Sequence, residues 1–310
     1  MRIVFFGSPE AALPALQGLL TAGHTIELVV TQPDKPAGRG KKLAAPPVKE
    51  FALSRSLPVY QPGRIRTAPG APERLRAAWA DIFVVVAYGQ ILPREIIDIP
   101  PHKTVNVHFS LLPRYRGAAP VQGALLNGET RTGVTIFRLN EKMDEGDILT
   151  RSETAILLRE TAGELEARLA DIGTALLLDT LDRIDEIPLQ PQDPTGATLA
   201  PKMRKEDWRL DWSLEAGEVY WRVRAFYPRP SAFTSFKGQR LIVLKGAPLS
   251  GANACGNPGT VHRIAKEGLE ICCGGGTLYR IERLRPESRG AMDAYAFTLN
   301  GRVRAGDLLG

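Results

Sequence analysis

Cysteine is scarce in this chain: three residues in 310, Cys255, Cys272 and Cys273, an odd number with no C-x-x-C spacing. That excludes a disulfide-built scaffold, leaves no visible thiolate zinc site, and predicts a reduced, cytoplasmic protein. Long apolar runs are missing as well. The densest, "IFVVVAYGQIL" at 82–92, contains Gly and Gln and falls well short of the ~20 residues needed to cross a bilayer, so no membrane partner is expected. One arginine and a brief apolar run precede "GSP" at the N-terminus, which fits a first strand and not a signal peptide. "GSPEAA" at 7–12 lacks G-x-G-x-x-G, and no other phosphate-cradling glycine pattern replaces it, which argues against a dinucleotide-dependent oxidoreductase.

What is present is a globular composition, 44% hydrophobic, with a length that at roughly 100–200 residues per domain suggests two domains. The net charge of +6 is unevenly placed. Residues 1–190 hold 22 Lys/Arg and 22 Asp/Glu, whereas 191–310 hold 18 and 12, so the whole excess lies in the last third. That third is suited to a polyanionic partner, although surplus charge also serves solubility alone.

"RIVFF" (2–6), a leucine-striped segment and "TIELVV" (25–30) form a β-α-β opening, which implies a right-handed crossover and a parallel sheet. "IFVVVA" (82–87) suits a central strand covered on both faces; "TVNVHF" (104–109) and "GVTIFRL" (133–139) add two more. Residues 161–184 form the clearest helix, opened by a Thr161/Glu164 capping box. The proline-rich stretch 188–201 has little apolar periodicity and is expected to lie in a linker. Beyond it come a helix at 214–226 and short strands broken by Gly, Pro and Asn, the texture of a small antiparallel barrel. The expected fold is α/β: a doubly wound, mostly parallel, Rossmann-like N-terminal domain (1–189), a linker (190–207) and a smaller β-barrel domain of the oligonucleotide-binding type (208–310).

"NVHFSLLPRYRGAAP" (106–120) carries the chemistry. Strand alternation turns Asn106 and His108 to one face and Val105, Val107 and Phe109 to the other. In an open parallel sheet, ligands bind beyond the carboxyl ends of the strands, where "MDEGDIL" (143–149) can bring Asp144. The acids Asp144, Glu145 and Asp147 invite a metal, but hard cations need more oxygen ligands and turn capping is the commoner use. An amide, an imidazole and a carboxylate, with no Ser or Cys nucleophile motif, suit direct acyl transfer to an amine. The amide and a protonated imidazole donate to an oxyanion, and the carboxylate tunes the ring or accepts a proton through water. Spacing alone does not name the acyl donor.

"NVHFSLLPRYRGAAPVQGAL", "TGVTIFRLNEKMDEGDIL", "VVVAYGQILP", "TQPDKPAGRGKK" and "DWS…RAFYPRP" together resemble the folate-dependent formyltransferases, and within them the methionyl-tRNA formyltransferases, along the whole chain. N-x-H, S-L-L-P and D-x-G-D mark the wider family, which also serves ribonucleotide and sugar-nucleotide acceptors. The basic loop and the C-terminal segment narrow it. The resemblance implies formyl transfer from 10-formyltetrahydrofolate to the amino group of methionyl-initiator tRNA in translation initiation, without a metal or an obligate protein partner. Carried over by position, it makes Asn106, His108 and Asp144 catalytic. Ser110, Leu111, Leu112 and Pro113 become a folate-binding turn, and Tyr88, Gly89, Gln90, Ile91 and Leu92 line the pterin pocket. Ala11 stands where the family commonly has an aromatic, and Lys142 where a glycine is common.

Lys35, Arg39, Lys41, Lys42 and Lys49 follow the second strand with no acid between the first and last of them. The resemblance sends this loop to the tRNA acceptor end. In the C-terminal part Arg222, Arg224 and Arg229 interleave with Trp221, Phe226 and Tyr227, a combination of phosphate-binding cations and stacking platforms. Val219, Val223 and Phe226 at helical spacing are core. A catalysis-free RNA-binding module would leave the Asn-His-Asp set without a purpose.

Overall fold

The computed structural model describes residues 1–37, 40, 42–250, 255–299 and 303–310; Arg39 and Lys41 of the basic loop lie outside them. The chain forms two compact units. The first comprises Met1–Pro120, Arg131–Ala155 and Glu166–Pro201, the second Val121–Thr130, Ile156–Leu165 and Lys202–Gly310.

The strands of the first unit are β1 (Arg2–Gly7), β2 (Thr25–Val30), β3 (Lys35–Ala37), β4 (Lys42–Ala44), β5 (Val59–Tyr60), β6 (Ile82–Val86), β7 (Thr104–His108), β8 (Arg131–Arg138) and β9 (Ile148–Ala155). Seven of them make one sheet in the order β5-β2-β1-β6-β7-β8-β9, and β3 and β4 pair separately as a hairpin. Pairings from β5 to β7 are parallel; β7–β8 and β8–β9 are antiparallel. All five residues of β6 are buried, which accounts for its unbroken apolar run. After β5 the chain crosses to the other side of β1, so the topological switch lies between β1 and β6, where open sheets form their binding crevice. The helix Ala162–Asp182 covers β7 and β8 closely: a Cβ at Gly173 would sit 2.9 Å from Val107 and 3.2 Å from Val134.

β9 is not legible in the sequence. Its inward alternation is carried mainly by polar side chains, so hydrophobic periodicity, the usual strand signal, is weak there. Residues 190–201, expected within a linker, belong to the first unit and bond to the rest of it through Gln190, Gln192, Thr198 and Ala200. Gln190 and Ile148 exchange both backbone bonds at 2.8 and 2.9 Å, and Arg116 bonds Thr198 and Ala200 at 2.8 and 2.7 Å. Prolines that remove helix periodicity are compatible with such short bridges.

The second unit holds β10 (Phe233–Phe236), β11 (Gln239–Leu249), β12 (Val261–Ala265), β13 (Gly268–Cys272), β14 (Leu278–Pro286) and β15 (Met292–Asp293). They run in the order β10-β11-β14-β13-β12, with β15 on β14, and every pairing is antiparallel. Leu309 bridges to Phe236 and Leu308 to Thr260, so the C-terminal segment bonds both sheet edges and closes the barrel, satisfying otherwise open backbone groups. Val219, Val223 and Phe226 of the helix Ala216–Phe226 pack with Trp212, Ile271, Tyr279 and Ile281 in its core.

One expectation is corrected here. Cys255 and Cys272 are joined in a disulfide, not reduced. A separation of 17 positions along the chain gave no hint of proximity, but Gly259 and Thr260 pair with Cys272 and bring the two cysteines together. His262 lies within 4.8 Å of both sulfurs, which in a disulfide are not the thiolates a metal requires. Cys273 stays free and buried, and desolvation pushes its thiol up to about 12. Among the described residues no helix is long and apolar enough to cross a membrane.

Candidate active site

β7 delivers its side chains as alternation requires. Val105 and Val107 are buried on the side of the long helix, and Asn106 and His108 take the opposite face. Among the described residues the Asn106 amide makes no hydrogen bond, whereas the His108 ring is held firmly. Its Nε2 lies 2.9 Å from the Tyr115 carbonyl, which can only accept, so Nε2 carries a hydrogen. Phe137 meets the ring edge-on, with centroids 6.3 Å apart. Nδ1 is therefore the ring nitrogen left for chemistry, and it faces Asp144 Oδ2 at 3.9 Å.

Two loops make that approach possible. In the first, residues 110–117, the Ser110 hydroxyl donates to Arg114 O at 2.6 Å, and Thr135 Oγ1 donates to Ser110 O and accepts from Leu112 N. The Leu112–Pro113 peptide is cis, and Arg151 donates to Leu112 O at 3.2 Å. Ser110 and Leu112 are both buried and are used in shaping this turn. Gly117, with φ of 120°, presents its N–H to Asp144 Oδ2 at 2.8 Å. In the second loop Asp144 itself has φ of 53°, a conformation that costs roughly 1–3 kcal/mol for a residue with a Cβ. Two residues on, a Cβ at Gly146 would lie 1.7 Å from Arg138 O, so only glycine fits.

Sequence reasoning missed two residues here. Gln192, in the expected linker, donates to Asp144 O at 2.9 Å and Gly146 O at 2.8 Å. Its own oxygen accepts two bonds from Arg116, at 3.0 and 2.8 Å, and Arg116 also pairs with Glu145 at 3.4 Å. No spacing signal links position 192 to 116 or 144; only the fold does.

The segment 87–92 divides. Tyr88 and Leu92 belong to the core beneath the sheet's edge, and burial raises the Tyr88 phenol well above its ordinary value. Gln90 Oε1 accepts from Ile65 N at 2.8 Å. Gly89 has φ of 78° and lies against Gln32, whose amide donates to Tyr88 O at 2.9 Å. Ile91 is 65% exposed.

A cleft of about 450 Å³ opens beside these groups, lined by Ser8, Gln32, Pro33, Lys35, Ala45 and Ala87 among others. It lies where β1, β2 and β6 end, next to the switch point; the Asn-His-Asp set is not in its lining. Lys35 at its rim bonds Gln32 Oε1, and Lys42 is exposed on β4. Lys49 is held by both oxygens of Asp34 at 2.8 Å, and the Asp34 carboxyl is kept below its usual range chiefly by that bond.

In the second unit Arg222 is half-buried. The Arg224 guanidinium donates to Glu160 O at 2.8 Å and Leu157 O at 3.1 Å and lies 5.1 Å from the Tyr220 ring centroid. Tyr220 adds a bond to Leu158 O at 2.9 Å, so this pair fixes the 157–160 loop.

The Formyl transferase family matches residues 1–181, and the family of its C-terminal domain matches 202–302. Methionyl-tRNA formyltransferase of Acetivibrio thermocellus is 43% identical over 100% of this chain and 100% of its own. That of Solibacter usitatus is 45% identical over 100% and 99%. The chain belongs to the methionyl-tRNA formyltransferase family. Both of the family's parts are therefore present, in the order barrel after sheet. HypX from Aquifex aeolicus, solved in complex with tetrahydrofolic acid, shares the fold with a TM-score of 0.63 at 18% identity. The match covers 97% of this chain and 47% of HypX, so the chain spans about half the length of that protein.

Proposed function

We propose that the chain formylates the amino group of methionyl-initiator tRNA, with 10-formyltetrahydrofolate as donor, by direct attack of the amine on the formyl carbon. The observation that carries the mechanism is the meeting of His108 Nδ1 and Asp144 at 3.9 Å, on the face shared with Asn106, at the carboxyl edge of the sheet. As the new C–N bond forms, negative charge develops on the formyl oxygen. The Asn106 amide, which has no hydrogen-bond partner among the described residues, donates to it; such a donor contributes roughly 3–4 kcal/mol. With Nε2 committed to Tyr115 O, Nδ1 takes the amine proton and then returns a hydrogen bond to the oxyanion. Asp144 stabilises the imidazolium so formed and serves the proton by way of water. Collapse breaks the bond to N10 of the folate, which leaves with the proton that Nδ1 took from the amine, so the imidazole returns to its neutral form.

Folate binding is assigned to the backbone polar groups of 87–92 and to the face of Ile91, with the turn Ser110–Pro113 closing one side. Tyr88, Leu92, Ser110 and Leu112 act from behind, as shape. The 450 Å³ cleft fits the aminoacyl end, with Lys35, Arg39, Lys41 and Lys42 tracking the acceptor phosphates. On the barrel side Arg222 is assigned to the RNA backbone, and Arg224 to holding the loop beside it. The place of action is assigned to the cytoplasm on the initiator-tRNA substrate alone, since the Cys255–Cys272 disulfide removes the reduced-cysteine argument for it.

The test is a formylation assay with methionyl-initiator tRNA beside amino-sugar nucleotides and small amines. Turnover confined to the tRNA supports the reading; equal or better turnover of a sugar nucleotide replaces it with a small-acceptor transferase.

A further inference from the structure

We propose that Gln192 is a positioning residue for Asp144, and that the segment 190–200 acts as a strap setting the two site loops in register. The inference rests on the assignment of Asp144 above and extends it to a residue that touches neither substrate.

Asp144 needs a positive φ to turn its carboxylate toward His108, a strained state that persists only when the surroundings enforce it. The enforcing contacts are few. Gly146 occupies a place where no side chain fits, Gly117 N–H meets the carboxylate, and the single amide of Gln192 bonds the carbonyls of both Asp144 and Gly146. One nitrogen thus ties together the two ends of the turn that aims the carboxylate.

The other end of the same amide accepts from Nε and Nη2 of Arg116. Arg116 is buried, and its backbone is one residue from both Tyr115 O, which holds His108 Nε2, and Gly117 N, which holds Asp144. Gln192 therefore links the carboxylate loop to the loop that orients the imidazole. The flanks of the strap fix Gln192 in turn. Gln190 pairs with Ile148 just after the acidic turn, Thr198 Oγ1 accepts from Tyr115 N at 2.8 Å, and Thr198 O and Ala200 pair with Arg116. Arg116 to Glu145 at 3.4 Å closes the circuit. Displacing a reacting group by about 1 Å costs up to ~100-fold in rate, so losing the central link should be visible in turnover.

Gln192→Met keeps length and removes every polar contact; Gln192→Glu keeps the acceptor for Arg116 and removes both donors. Each is measured alone and combined with Asp144→Asn, for kcat, for KM with both substrates, and across pH. Expected are a kcat lower by about 10–100-fold, KM values changed less than threefold, and a pH–rate profile moved toward that of Asp144→Asn. In the Asp144→Asn background either substitution should cost less than twofold more, because residues acting as a unit are not additive. A wild-type kcat in Gln192→Glu overturns the inference, and so does an equal loss in both backgrounds. Wild-type activity in Asp144→Asn itself overturns the underlying assignment, and the inference with it.

Discussion

His108 and Asp144 approach each other through one ring nitrogen only: Nδ1 lies 3.9 Å from Oδ2, while Nε2 is engaged by the Tyr115 carbonyl at 2.9 Å. This arrangement fixes the tautomer and leaves a single ring nitrogen facing the carboxylate. It also predicts an effect specific to the carboxylate. Asp144→Asn keeps the size of the side chain and its bond from Gly117, so the thermal midpoint should move little. kcat should fall by about 10²–10⁴, with altered pH dependence. Steady-state formylation across pH beside thermal melts checks this; unchanged kcat and pH profile would remove Asp144 from the mechanism.

Gly146→Ala tests the turn. The added methyl collides with Arg138 O at a nominal 1.7 Å, and backbone has to shift. A destabilisation of about 1–3 kcal/mol is expected together with loss of turnover larger than the fold's loss of stability explains. Denaturant melts paired with activity at a temperature where the variant is folded will show it.

Two carboxylates should give opposite pH trends. Burial, with Glu10 nearby, raises Glu166 above its ordinary 4.5. The folded state then binds more protons than the unfolded one, and stability falls as pH rises from about 4.5 through the folded value. Glu166→Gln should therefore raise the thermal midpoint by about 1–3 °C at pH 7.5, with the gain vanishing near pH 4. Glu270 is held low first by Arg263, at 2.8 Å, and then by Arg280, at 3.0 Å, against the cost of burial. Its contribution is present above about 4.5 and lost as pH falls through the folded value, so Glu270→Gln should destabilise at neutral pH and converge with wild type in acid. Parallel trends in the two variants would contradict both assignments.

Neighbouring arginines on one helix should separate. Arg224→Met removes bonds to two loop carbonyls, each worth roughly 1.5–3 kcal/mol when the donor is charged, so the melt of the C-terminal unit should fall. Arg222→Ala should leave the melt alone, raise the KM for tRNA and lower the salt slope of binding by about one phosphate contact. An unchanged salt slope in Arg222→Ala would take that residue out of the RNA contact.

Much of the site was already written in the sequence. Period-two alternation places Asn106 with His108 regardless of context, because a strand leaves side chains no other choice. The unbroken apolar run of β6 requires a sheet covered on both sides, and the β-α-β opening requires its parallel part. Segments carrying weaker signals stayed hidden. β9 alternates through polar residues, the disulfide partners are distant in sequence, and Tyr88 and Gln90, in a run that resembles a pocket wall, turned out to be spent on the core and on Ile65.

The sequence by itself determined which groups exist and which share a face: an amide, an imidazole, a carboxylate, a basic loop and a basic last third. Tertiary structure alone decided that the carboxylate reaches the ring, that Nε2 is taken and Nδ1 is not, and that an amide from a proline-rich segment holds the turn. The reason is physical. Local periodicity follows from bond geometry within a few residues, whereas a contact between positions 108, 144 and 192 depends on sheet order and loop register, set by packing of the whole unit.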